Sequence, residues 1–237
     1  MCWSFEASAA VAVIGVSGTL YAAYKGVAKE LWLVLGYFSL MEVLQAYTYL
    51  SIDNCDSHGN QIATLLGYIH IAFQPFFINA ISMYFIPHHI VKKIAPFVYA
   101  ICFIAVVLFI INLYPFSWAP KCTIGTTSLC GTKLCSVSGN WHIAWEIPRN
   151  QLFDLFFIYY IPAFLIPLVY GSWRFTLYHF IMGPLFSYLL TDNLNEHAAV
   201  WCLLSIGFLL IVVKTPIQSF LFVKKFYFWR YPKNLSN

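Results

Sequence analysis

Seven runs of mostly apolar residues, each long enough to cross a bilayer as a helix, follow one another along this 237-residue chain. A spanning helix needs about 20 such residues. The runs cover about residues 7–24, 31–50, 62–86, 94–113, 151–170, 173–190 and 198–222, the last with Pro216 near its end. They are continuous and lack the alternation of a barrel wall, which favours helices over strands. Composition closes off the other classes. Only 9% of the residues are charged, about a third of the roughly 25% usual in soluble domains. With 61% hydrophobic residues the chain is not intrinsically disordered. A net charge of +4 with dispersed basic residues gives no support to nucleic-acid binding. The expected fold is all-α: a polytopic membrane protein built as one seven-helix domain over 1–237, with the lipid bilayer as its first partner.

Charge placement predicts an orientation. The segment Met1-Cys2-Trp3-Ser4-Phe5-Glu6 has no basic residue, and Lys25 and Lys29 follow the first run. A secretory signal carries its positive charge ahead of the apolar run, so the first run reads as a retained helix with its N-terminus outside. The inner segments then hold Lys25, Lys29, Lys92, Lys93, Arg174, Lys214, Lys224, Lys225, Arg230 and Lys233, and the outer segments only Lys121, Lys133 and Arg149. Ten against three obeys the positive-inside rule, and it puts the basic tail 223–237 inside. Cysteine gives an independent test. Cys2, Cys55, Cys122, Cys130 and Cys135 all fall on the outer side, where disulfides persist. Cys102 and Cys202 fall within runs, as small apolar fillers. Two disulfides are expected among the five, with connectivity open, and the long loop 114–149 becomes a stapled outer cap. The sequon Asn234-Leu235-Ser236 lies inside on this topology and is expected to carry no glycan.

Ionisable residues inside apolar runs are functional candidates, because hydrocarbon makes them costly. Glu42 lies eight residues before the outer end of the second run, and His70 eight residues after the outer start of the third. At 1.5 Å per residue both sit about 12 Å below the outer edge. Equal depth on neighbouring antiparallel helices makes a Glu42–His70 pair geometrically cheap. Gln45 and Gln74 lie one turn away from each, and Pro75 frees a backbone carbonyl nearby. His142, Glu146, Asn150 and Asp154 recur every four residues around the start of the fifth run. Since Pro148 is tolerated only near a helix start, His142 and Glu146 are expected in the loop, packed over the outer mouth. Glu196 and His197 open the seventh run and Glu6 the first.

Two readings of this cluster stand side by side. It can be a buried hydrogen-bond network that fixes helix packing. It can also be an outward-facing pocket for a small or lipidic ligand, lined by Gln45, Glu146, Asp154, Glu196, His197 and Glu6. In the enzyme version His70 is a base or metal ligand, Glu42 orients or co-ligates it, and Gln74 donates a hydrogen bond to substrate. The imidazole–carboxylate pair suits a divalent metal such as zinc or iron, although no strong metal-ligand spacing occurs. A non-enzymatic transporter, sensor or receptor using the same cavity is the rival. Cys122, Cys130 and Cys135 lack the matching pair or histidine of a zinc knuckle, which favours disulfides. His88-His89, after Pro87 and beside Lys92 and Lys93, reads as an interfacial turn.

The opening Met1-Cys2-Trp3-Ser4, the run Leu40-Met41-Glu42-Val43-Leu44-Gln45, the stretch from Asn60 to Phe77 containing His70-Ile71-Ala72-Phe73-Gln74-Pro75, and Trp141-His142-Ile143-Ala144-Trp145-Glu146 carry a resemblance. They are similar to a family of uncharacterised seven-span membrane proteins known mainly from bacteria, fungi and large viruses. The resemblance spans most of the chain. It implies the seven-helix architecture, draws attention to Cys2, Glu42, Gln45, His70 and Gln74, and imports no activity. Characterised seven-span classes match less well. Alkaline ceramidase-like hydrolases carry a His-x-x-x-His pair on the last helix, where this chain has His197 alone. Retinal proteins need a lysine near the middle of the seventh helix, and Lys214 lies about 24 Å from its outer end, where it snorkels. The Asp-Arg-Tyr and Asn-Pro-x-x-Tyr motifs of G-protein-coupled receptors are absent. Nor do the first and last three runs resemble each other, as those of three-plus-one-plus-three sugar transporters would.

Overall fold

The computed structural model describes residues 3–151, 156–213, 215–227 and 229–230, with the backbone alone at 156–158 and 230. The chain is mostly helical. Four long helices come first: α1 (Phe5–Tyr24), α2 (Lys29–Tyr49), α3 (His58–Tyr84) and α4 (His88–Ile111). After a long loop follow α5 (Phe156–Tyr170), α6 (173–190), α7 (His197–Val212) and the short α8 (Pro216–Leu221). Among the described residues α1, α3 and α4 are long and apolar enough to cross a membrane. The helix α2 is as long, but it carries Lys29, Glu30 and Glu42.

Two helices are irregular where a rigid apolar run was expected. In α6 the turn Ile181–Leu185 widens into a π-helix around Pro184, because proline supplies no N–H and its ring crowds the preceding turn. In α7 the segment Ser205–Gly207 tightens into a 3-10 turn. The two irregularities meet. Gly183 lies so close to Trp201 that a Cβ there would come within 2.4 Å of its indole nitrogen. The expected seventh run over 198–222 is in fact divided. The helix stops at Val212, and Pro216 takes the first turn of α8, since a proline cannot hydrogen-bond back into the preceding turn.

Each helix packs on its chain neighbour, α3 also touches α5, and α7 returns to α1 and α2. Small residues permit the closest approach. Ser8, Ala12, Gly15 and Ala22 form the buried stripe of α1. At Gly15 a Cβ would stand 2.3 Å from the Ser39 hydroxyl of α2, the small-residue packing of helices in apolar surroundings. Pro75 bends no hydrogen bond into waste. It leaves the Ile71 carbonyl without an N–H donor, and the Tyr160 hydroxyl of α5 donates to that carbonyl, while Tyr37 of α2 donates to the neighbouring His70 carbonyl.

The loop between α4 and α5 holds a departure from an all-α fold. Cys135–Ser138 (β1) and Ile143–Glu146 (β2) form an antiparallel hairpin, Cys135 opposite Glu146. A second, two-residue pair joins Lys225–Phe226 (β3) to Trp229–Arg230 (β4). Two disulfides fix the loop, Cys55–Cys135 and Cys122–Cys130. The first ties the α2–α3 turn to the hairpin. Asp53 of that turn accepts from the Ser138 backbone N–H at 2.7 Å and from its hydroxyl at 2.6 Å. Asn60 braces the same junction, donating to Ser136 O at 2.8 Å and accepting from Ser136 N at 2.8 Å. Trp145 is buried beneath the hairpin against Gly67 of α3.

Candidate functional site

The hairpin turn Gly139–His142 lies over the ends of α2 and α7, and Glu196 is what holds it there. This carboxylate is fully buried and accepts four hydrogen bonds. They come from Asn140 N at 3.2 Å, Trp141 N at 2.6 Å, the His142 backbone N–H, and the Thr191 hydroxyl at 2.6 Å. A buried carboxylate is tolerable when donors surround it in this way. Gly139 is required by the approach, since a Cβ there would meet the Glu196 carboxyl carbon at 2.7 Å. Asn195 adds a second clasp, exchanging bonds with both backbone groups of Cys130 at 2.9 and 3.0 Å.

The ring of His142 reaches down from this turn into α2. Its Nδ1 lies 2.7 Å from the Tyr49 hydroxyl and its Nε2 2.8 Å from Gln45 Oε1. Gln45 Nε2 donates to the Ala199 carbonyl at 3.2 Å, so Gln45 Oε1 is an acceptor. Hence His142 carries its proton on Nε2 and accepts from Tyr49 at Nδ1. Burial pushes the imidazole down to about 3, which keeps it neutral.

Below the turn stand Glu42 and His70. Neither Glu42 carboxyl oxygen, nor His70 Nε2, has a hydrogen-bond partner among the described residues, and no ion pair joins the two. The expected Glu42–His70 pair is therefore not formed. The reason is position along α2 as well as azimuth. His70 stacks on Tyr37 of α2, ring centroids 3.9 Å apart. Glu42 lies five residues further along α2, about 7.5 Å along its axis and about 140° around it. Gln74 turns away from His70 to donate to the Cys202 sulfur of α7 at 2.9 Å.

Beside Gln74 opens a cavity of about 460 Å³ between α3, α5, α6 and α7, roofed by Leu129 of the loop and Leu194. Its walls are apolar and aromatic, with Ile71, Tyr160 and Trp201 among them, and its polar groups include Gln74, Ser187 and His197. His197 Nε2 donates to the Thr191 carbonyl at 2.8 Å, and the Ser187 hydroxyl to the His197 carbonyl at 2.8 Å. A few placed polar groups on apolar walls is the general form of a small-molecule site.

Of the expected site residues, this arrangement collects Gln74 and His197. Gln45 and Glu196 belong to the hydrogen-bonded clasp and not to the cavity wall. Glu6 is exposed in the first turn of α1, where a helix N-terminus favours an acidic side chain. Glu146 lies in β2, its Cβ against Gly131. Asp154, Lys214, Cys2 and the 234–236 sequon lie outside the described residues. Among the described residues no three His, Cys, Asp or Glu side chains are placed to hold a metal ion. Sequence reading passed over Tyr49, Asn60 and Asn79. Asn79 donates to the Pro75 and Ala163 carbonyls, at 2.9 and 2.8 Å, and accepts from Tyr170. Its position four residues after a mid-helix proline was the available signal.

Neither the curated proteins nor the solved structures contain a match to this chain. One family profile matches residues 6–222, which is most of its length, and the chain therefore belongs to DUF5765, a family of unknown function.

Proposed function

We propose that the chain is a seven-helix membrane protein, N-terminus outside, which binds a small apolar or lipidic ligand in the cavity between α3, α5, α6 and α7. The ten-to-three sorting of basic residues and the position of both disulfides at the opposite end support the orientation. The outward-facing apolar side chains support the bilayer. Val13, Leu20, Phe97 and Val169 are 66, 66, 73 and 73% exposed, and water-soluble monomers rarely present extended surfaces of that kind. The single observation that carries ligand binding is the cavity of about 460 Å³ with Gln74 and His197 on mostly apolar walls. Gln74 and His197 anchor a polar end of the ligand, and Tyr160, Trp201 and Ile71 hold its hydrocarbon. Acid–base chemistry by Glu42 and His70 is not part of the proposal, because neither lines the cavity.

The test is titration of the detergent-solubilised chain with a dansylated fatty acid. Saturable binding at one site per chain is expected, weakened about tenfold or more in Ala198→Trp, which fills the cavity. An unchanged melting temperature would show that the variant is folded. Absence of saturable binding, or equal binding by the folded variant, overturns the reading.

A further inference from the structure

At the end of the bundle away from the disulfides, α2, α3 and α4 leave an open groove of about 650 Å³. Leu33, Phe77, Ala80, Val91 and Ala95 supply apolar walls. Lys29 and His88 stand at its mouth, where α2 and α4 begin. On α4 the lining residues are His88, Val91, Ala95 and Tyr99, one face of a helix by their spacing. Lys92, four residues after His88, lies about 40° from that face and is exposed. Lys25 precedes Lys29 across the tight turn at Gly26, whose φ is +68°. Glu30 is the one acidic side chain among the residues lining the groove. Lys29 on the lining and Lys92 beside it thus outweigh Glu30 and leave an excess of positive charge at the mouth, while the depth is hydrocarbon.

The groove also has a telling length. From His88 to Tyr99 is eleven residues, about 16 Å of helix. Half the hydrocarbon thickness of a bilayer is about 15 Å. The groove therefore runs from a cationic rim through the depth of one leaflet. We propose that it binds one acidic glycerophospholipid of the surrounding bilayer. The phosphate sits between Lys29 and Lys92, and an acyl chain lies along Val91, Ala95 and Tyr99. A zwitterionic headgroup would bring its own cation against the lysines, whereas an acidic one brings only the phosphate charge. The inference rests on the chain being embedded in a membrane, and it is independent of the cavity ligand.

The experiment is native mass spectrometry of the full chain in detergent micelles containing equimolar phosphatidylglycerol and phosphatidylcholine. Phosphatidylglycerol adducts are expected to exceed phosphatidylcholine adducts about tenfold. The double variant Lys29→Gln, Lys92→Gln is expected to bring the two to parity, since both lysines are exposed and their loss leaves the core intact. Ala95→Trp, which fills the groove, is expected to remove the selective adduct in a chain whose melting temperature is unchanged. Equal adducts in the unaltered chain, or a preference that survives the double variant, overturns the lipid site. Alkaline carbonate washing of membranes separates the two failures. A chain that stays in the pellet without lipid preference refutes the site alone, and a chain released by the wash refutes the membrane reading and the site with it.

Discussion

Both ring nitrogens of His142 are engaged with α2, one accepting from Tyr49 and one donating to Gln45. The folded imidazole titrates at about 3, below its ordinary 6.5, because burial disfavours the charged ring. The unfolded chain therefore takes up the proton first as pH falls. The neutral ring contributes stability that is complete above about 6.5 and lost progressively between about 6.5 and about 3. Melting of the solubilised protein should fall over that interval, and His142→Gln, which keeps a donor and an acceptor, should flatten the dependence. An equally steep fall in the variant would place the titration elsewhere. Glu196→Gln should be more damaging at neutral pH. It replaces an acceptor-only carboxylate by an amide whose NH2 faces some of the four donors, at a cost of about 2–4 kcal/mol, read as a lowered melting temperature. At this scale the sequence singled out Glu42, Gln45, Gln74, His142 and Glu196, which are buried, and Glu6, which is exposed, and it was silent on direction. His70 stacks on Tyr37, which lies five residues from Glu42 on α2, about 7.5 Å along the axis and about 140° around it. Spacing along one helix cannot show which flank its neighbour occupies.

The helices α1 to α4 were legible because long apolar runs leave little else to form, and the observed bounds lie within a few residues of the runs, apart from the six-residue earlier start of α4. The β1–β2 hairpin was not. Its strands are four residues each, too short for an alternating pattern to register. The π-turn of α6 and the division at Val212 coincide with Pro184 and Pro216, and Trp201 packs on Gly183 within that turn. The five outer cysteines left the pairing open, and contact between the α2–α3 turn and the hairpin decides it. Cys55–Cys135 spans 80 residues and Cys122–Cys130 spans 8. Chain entropy then assigns about 4.5 kcal/mol to the first and about 2.5 kcal/mol to the second. Cys55→Ser should accordingly lower the denaturation midpoint more than Cys122→Ser. The reverse order would mean that the hairpin is held by Glu196, Asn195 and Asp53 with little help from its staple.

Over the whole molecule, polar chemistry is segregated by end. One end holds both disulfides, the Glu196 clasp and the roof of the ligand cavity, and the other holds Lys25, Lys29, Lys92 and the groove proposed for an acidic lipid. Between them α1 and α4 present apolar side chains outward. In the proposed orientation the first end would face oxidising surroundings and the second a cytoplasmic leaflet, so the cavity, the staples and the lipid groove stand on it together. Cysteine labelling tests that orientation most directly, in a Cys2→Ser background where Cys102 and Cys202 are buried. Lys133 is exposed in the loop near β1 and Lys92 is exposed on α4. The account predicts that Lys133→Cys reacts with a membrane-impermeant maleimide in intact cells, and that Lys92→Cys reacts only after permeabilisation. Labelling of Lys92→Cys in intact cells with Lys133→Cys protected would contradict it.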